Sequence, residues 1–281
     1  MGRLKERMRQ DLELRGLSKN TQKSYLKEAR EFAKYFMRSP EELGSEEIRE
    51  YLLYLLKVKK VSESTMKIAY SSLKYLYAVT LNRPWEIDRI PKIKRHKKLP
   101  VVLNHDEIKA LFNSTDNIKY LAILTVIYSA GLRASEAAYL KVSDIDSKRM
   151  QIRVRNSKGA KDRYTILSNK ALKLLRKYWK MHRPKDWLFP SIKKKGWPLT
   201  YKSIDRIFKI SKEKAGIAKP ASVHSLRHSF ATHLLENGVD LHHIQLLLGH
   251  RYPETTTMYL HVRRVDLQDI SSPLDLINKN S

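Results

Sequence analysis

The sequence predicts a mainly α-helical protein of two domains, with one small antiparallel β-sheet in the second. Three observations carry this expectation. Apolar residues recur at helical spacing through the first ninety residues. A run with proline at both ends, Pro91-Lys-Ile-Lys-Arg-His-Lys-Lys-Leu-Pro100, then breaks the pattern as an extended, charged connector does. Beyond it, Gln151-Ile-Arg-Val-Arg155 alternates in the manner of a strand. A length of 281 residues favours two domains over one. The expected division is 1–90, a linker over 91–100, and 101–281.

Each element has a local cause. Ser18 is placed as the N-cap of a helix whose apolar face carries Tyr25, Ala29, Phe32, Ala33 and Phe36. Ser45 opens a second helix with Ile48, Tyr51, Leu52 and Leu55 on one face. Ser62 or Ser64 opens a third, with Ile68, Ala69, Leu73 and Leu76. These stripes read as the core of a helical bundle, and Lys19, Lys23, Lys27 and Lys67 lie outside them. After the linker, Asn104 and Glu107 form a capping-box start. A buried helix from about Ile118 to Ser129 is interrupted by Gly131, and Ala134 to Leu140 is a further short helix. Asn156 to Asp162 is a turn that returns as the strand Tyr164 to Leu167, while Asp144 and Asp146 read as turn formers in a loop. Ser168, then Thr200 or Ser203, cap the next helices. Ser222 opens the segment bearing His224 and Arg227, which Gly238 stops; Asp240 opens another, ended by Gly249.

Composition narrows the partner. A formal charge of +27, from 56 Lys+Arg against 29 Asp+Glu, repels itself unless a polyanion relieves it. Nucleic acid fits better than a membrane, because the longest apolar stretch, around Tyr120 to Leu132, is too short to span. The N-terminus has no apolar signal core, so a cytoplasmic, nucleoid-associated protein is expected. Zero cysteines exclude disulfides and thiolate metal sites. No glycine-rich nucleotide loop and no carboxylate cluster is present, so neither a metal nor any other cofactor is expected. Lys94, Arg95, Lys97 and Lys98 make the linker a candidate strap along a phosphate backbone, with Lys19 and Lys23 as further contacts.

One ordered set of residues points to chemistry: Arg133, then His224-Ser-Leu-Arg227, then Leu-Gly-His250, then Tyr259. Two arginines and two histidines around a phenol suit attack on a phosphodiester, whose transition state gathers negative charge that fixed donors stabilise. Tyrosine needs such neighbours, since only about 0.1% is phenolate at pH 7. His224 and His228 stand four apart, as zinc-binding pairs do, but no acidic or cysteine set completes a metal site. His228 therefore reads as a core or DNA-facing residue.

These motifs resemble the tyrosine recombinases, or phage-type integrases, and most closely the Xer-type chromosomal recombinases. The likeness runs over nearly the whole chain, from Arg15-Gly-Leu-Ser-Lys-Asn-Thr-Gln-Lys-Ser-Tyr25 through Gly131-Leu-Arg133-Ala-Ser-Glu136 to Tyr259, nine residues beyond His250. It implies a two-domain DNA clamp, with a helical core-binding (SAM-like) domain and a catalytic domain. It implies that Tyr259 attacks the scissile phosphate to give a 3′-phosphotyrosyl enzyme, and that Arg133, Arg227 and His250 hold the non-bridging oxygens. By the same likeness His224 takes the tyrosine proton, and Glu136 supports the arginines from behind. A hairpin lysine protonates the 5′-oxygen: Lys158 matches best by its place before Gly159, with Lys161 as its rival. The partner implied is double-stranded DNA, bound by a monomer or dimer that assembles as a homo-tetramer on paired sites. The apolar tail from Val265 to Ser281 would pass to a neighbouring protomer. Resolution of chromosome dimers is the expected role. A mobile-element integrase of the same family, a type IB topoisomerase and a non-catalytic DNA-binding protein stand as alternatives.

Overall fold

The first ninety residues are expected to be helical throughout, with three helices placed by their caps, and the structure adds two more. The computed structural model describes residues 2–91, 99–157, 161–250 and 254–260, without the side chains of 156, 157, 161 and 254. The chain divides into two units, Met1–Lys97 and Lys98–Ser281. The first begins with α1 (Gly2–Leu14), which buries Leu4, Met8 and Leu12, one residue per turn. The expected helices follow as α2 (Lys19–Phe36), α3 (Ser45–Lys57) and α4 (Glu63–Tyr75), and then comes a short α5 (Pro84–Asp88).

The caps explain where these helices begin. Ser18 accepts from the Thr21 amide at 3.2 Å, and Ser62, rather than Ser64, accepts from Thr65 at 3.3 Å. Gly44 occupies the cap position of α3, and the Ser45 amide donates to Glu86 at 2.7 Å, which ties the start of α3 to α5. The core gathers Phe32, Tyr51 and Tyr77, with Phe32 and Tyr51 edge-on at 5.3 Å. Ile68 departs from the expected stripe: it is 39% exposed, and Met66 is buried in α4 instead. After Tyr75 the helix widens into a π turn over Leu76–Thr80, which the 3.6-residue pattern does not foresee.

The second unit runs α6 (His105–Asn113), α7 (Ile118–Ala130), α8 (Ala134–Ala138), β1 (Ile145–Asp146), β2 (Gln151–Ser157), β3 (Lys161–Ile166), α9 (Asn169–His182), α10 (Tyr201–Lys214), α11 (Val223–Glu236), α12 (Leu241–Leu248) and α13 (Glu254–Thr257). The sheet is antiparallel in the order β1-β2-β3. In the hairpin Gln151 faces Ile166 and Val154 faces Arg163, with a register shift between Val154 and Ser157. Strand β1 is too short to show a period, and Asp146, expected in a loop, pairs with Gln151.

Asn104 and Glu107 form the expected reciprocal box at 2.8 and 2.7 Å. Ser168, Thr200 and Asp240 cap α9, α10 and α12. Helix α7 is apolar on every side and lies in the core with α11 and α9 around it. Even its Lys119 is buried and donates to the Pro190 carbonyl. Among the described residues no helix is long and apolar enough to cross a membrane.

Gly131 ends α7 in the left-handed region, at φ 62°. A Cβ there would run into the Phe230 ring and meet Leu248 Cδ2 at 3.0 Å. Gly131→Ala should therefore destabilise the second unit by about 2–4 kcal/mol, combining left-handed strain with overpacking. The measurement is urea unfolding, where the midpoint should fall with the slope unchanged.

Candidate active site

Leaving α7 through Gly131, the chain places Arg133 at the N-cap of α8 and Glu136 one turn inside it. The Arg133 amide donates to Glu136 Oε2 at 2.8 Å, and Arg133 Nη1 donates to Oε1 at 2.7 Å. Arg163, from β3, meets the same carboxylate with both terminal nitrogens, at 2.9 and 2.8 Å. Arg227 Nη1, from α11, stands 3.6 Å from Oε2. One carboxylate thus gathers three guanidinium groups. Burial alone would raise its pKa, but the bonds and charge of Arg163, the Arg133 amide and the Arg227 charge bring it to about 2. The pocket stays net positive, as an anion site requires.

Arg227 is only 1% exposed. Its Nη1 donates to the Gly131 carbonyl at 2.7 Å and its Nη2 to the Leu248 carbonyl at 2.6 Å. These oxygens lie at the C-terminal ends of α7 and α12, where unpaired carbonyls and the helix dipoles favour a cation. Burial, then the Arg133 charge, lowers its pKa to about 9, so it is still charged at pH 7. Arg163 Nε donates to Leu247 at 2.9 Å, which fastens β3 to the end of α12.

The histidines close the other side. His250 follows the αL glycine Gly249, and its Nδ1 lies 2.9 Å from Thr256 Oγ1. Its ring stacks nearly parallel on Tyr259, with centroids 6.4 Å apart at 11°. Tyr259 is 1% exposed, and its hydroxyl lies 3.0 Å from His228 Nδ1. His228 in turn meets His224 edge-on at 4.6 Å. Burial, followed by the nearby arginines, lowers His224 to about 4 and His250 to about 3, although His224 keeps an exposed edge. Burial, His224 and Arg227 lower His228 to about 4. Burial raises Tyr259 to about 12 against the opposing charges of Arg227 and Arg133. All three rings are neutral at pH 7, and so is the phenol.

Arg133, Glu136, His224, Arg227, His250 and Tyr259 therefore come together in one place. The phenol's recorded partner is His228, not His224. His228, read from the sequence as a core or DNA-facing residue, joins the site, and its one-turn spacing from His224 was the available signal. Arg163 and Thr256 were also missed. Arg163 shares a sheet face with buried Thr165, and that alternation was the only hint. Lys158 lies outside the described residues, as do Lys94, Arg95, Lys97, Lys98 and the tail from Val265. Lys161 pairs with Ser157 in the hairpin backbone. Lys19 and Lys23 are exposed on α2. Among the described residues no group of three or more His, Cys, Asp or Glu residues could hold a metal ion.

A mainly helical fold with a three-stranded sheet and a buried arginine cluster beside a tyrosine defines the class, and comparison with known proteins agrees. The model of the phage integrase family matches residues 101–265, and that of the phage integrase N-terminal SAM-like domain matches 4–87. The integrase/recombinase homologue y4qK of Sinorhizobium fredii is 44% identical over 275 residues, covering 98% of this chain and 89% of its own. Tyrosine recombinase XerD of Listeria monocytogenes is 32% identical over 277 residues, covering 91% of this chain and 92% of its own. The crystal structure of the XerH site-specific recombinase bound to difH substrate, a pre-cleavage complex, has a TM-score of 0.69 at 25% identity, over 89% of this chain and 79% of that one. The chain belongs to the phage integrase family, the tyrosine recombinases.

The lowered histidine pKa values have a consequence for stability. His224, His228 and His250 bind protons less readily in the folded state than their ordinary 6.5, so stability falls as pH drops from 6.5 toward 4. Glu136 adds a second loss from 4.5 down to about 2, as its folded pKa is depressed. The urea midpoint should be clearly lower at pH 5 than at pH 7.5. A midpoint unchanged over that range would contradict the lowered proton affinity of these rings.

Proposed function

We propose that this protein is a site-specific DNA recombinase that cuts and rejoins strands through a 3′-phosphotyrosyl intermediate. The observation that carries the reading is the arrangement of Arg133, Arg227 and His250 around the phenol of Tyr259. In the reaction the Tyr259 oxygen forms a bond to phosphorus while the bond to the 5′-oxygen breaks. Arg133 and Arg227 hold the non-bridging oxygens with a planar fork that lysine lacks, and His250 donates to them from its free nitrogen. His224 takes the tyrosine proton, and Lys158 protonates the leaving 5′-oxygen. Glu136 touches no substrate in this scheme and aligns the arginines. The phosphotyrosyl bond keeps the energy of the bond it replaces, so rejoining requires no nucleotide cofactor.

In this reading residues 1–90 form the core-binding domain, with Lys19 and Lys23 on phosphates, 91–100 form the basic strap, and 101–281 form the catalytic domain. The protein acts on double-stranded DNA in the cytoplasm, at the nucleoid, as a monomer or dimer that becomes a tetramer on paired sites. Xer-type resolution of chromosome dimers is the proposed role, supported by the likeness to XerD over 91% of the chain. A second reading, recombination of a mobile element, is favoured by the higher identity to y4qK, at 44%. Mapping covalent adducts on host DNA separates them. A single chromosomal site supports the first role, and sites at the ends of an element support the second.

Tyr259→Phe should abolish the SDS-stable protein–DNA band and leave binding nearly intact; a band persisting in that variant would remove the assignment. Arg133→Ala should slow single-turnover cleavage by roughly 10²-fold or more, as loss of an oxyanion donor does.

A further inference from the structure

The bond between Tyr259 and His228 has no place in the scheme above. The phenol oxygen lies 3.0 Å from His228 Nδ1, and the two rings stand 5.7 Å apart. Tyr259 is stacked on His250 and buried to 1% exposure, so its ring has little freedom left. A phenol oxygen lies on the ring's rotation axis, so only movement about the Cα–Cβ bond displaces it. A partner at the hydroxyl restrains that movement. The charges of Arg227 and Arg133 both act on this phenol, opposing the effect of its burial. A neutral phenol flanked by cations turns its hydrogen away from them, so the hydroxyl donates to Nδ1 and keeps its lone pairs on the arginine side.

We infer that His228 is the positioning residue of the nucleophile: neutral Nδ1 accepts the phenolic hydrogen and holds the Tyr259 oxygen, lone pairs outward, where the phosphate is clamped. The inference rests on Tyr259 being the nucleophile. No proton moves to His228. Both imidazoles are brought to about 4, so what separates the holding ring from the accepting one is the pH profile of the variants below. His224, edge-on beside His228, remains the acceptor when attack begins. Helix spacing supplies both rings, since residues one turn apart share a face.

The test exploits the different reach of two amides. In His228→Asn the amide oxygen stands where Nδ1 stood, whereas in His228→Gln it is displaced toward the Nε2 position. Both are polar and differ by one methylene, so a cost in folding is shared. Adduct formation on a nicked suicide substrate, in single turnover from pH 6 to 9, gives the rate. Gel shift gives the DNA affinity, and thermal melting reports folding. The expected result is a rate within about threefold of wild type for Asn and at least tenfold slower for Gln, at equal affinity, because small misplacement of a reacting atom is costly. Equal rates for both variants and wild type would overturn the inference. So would an Asn variant as slow as Gln with a flattened pH profile, which would make His228 the base itself. An adduct that forms in wild type but not in Tyr259→Phe keeps the nucleophile reading intact whichever way the His228 ratio falls.

Discussion

The carboxylate of Glu136 is the constraint on which the site depends. Arg133 reaches it from α8, Arg163 from β3, and Arg227 approaches from α11. Without that anion the guanidinium groups would repel each other at a cost of about 4 kcal/mol for a pair 4 Å apart at an effective dielectric of 20. A buried ion cluster is a weak source of stability, because desolvation offsets most of the attraction. Its effect here is geometric. It fixes Arg133 and Arg227 at one spacing and holds Arg163, whose bond to Leu247 joins the hairpin to α12.

The same low-dielectric pocket explains the state of Tyr259. Burial holds the phenol protonated and the histidines neutral, so the pocket's charge comes from the arginines. Three guanidinium groups share one carboxylate, which leaves the pocket net positive. Thr256 of α13 bonds His250, and Tyr259, just beyond that helix, bonds His228 and is buried in the apolar cluster of Phe230, Ile244 and Leu248.

Much of the fold was legible because caps and periodicity are local. Ser18, Asn104, Ser168 and Asp240 announce their helices by chemistry that acts within three residues. The mixed α fold with one small sheet followed from those signals. Ile68 and the π turn after Tyr75 did not, since packing and an extra residue in the turn override the helical period. Strand β1 is two residues long and owes its existence to its partner. In the site, Arg133, Arg227, His250 and Tyr259 stood out as a motif set. Arg163, His228 and Thr256 gained their roles only when β3, α11 and α13 met; the one-turn spacing of His228 from His224 and the alternation of Arg163 with Thr165 mark shared faces but not the partners across them.

A double-mutant cycle on cleavage tests the central claim most directly. Glu136→Gln, Arg163→Gln and the double variant would be compared with wild type in single-turnover adduct formation. If Arg163 acts through Glu136, the double variant should be slower than the worse single variant by no more than about twofold, as for groups that work as one unit. Losses that multiply fully in the double variant would show two independent contributions, and would contradict an arginine site organised by one carboxylate.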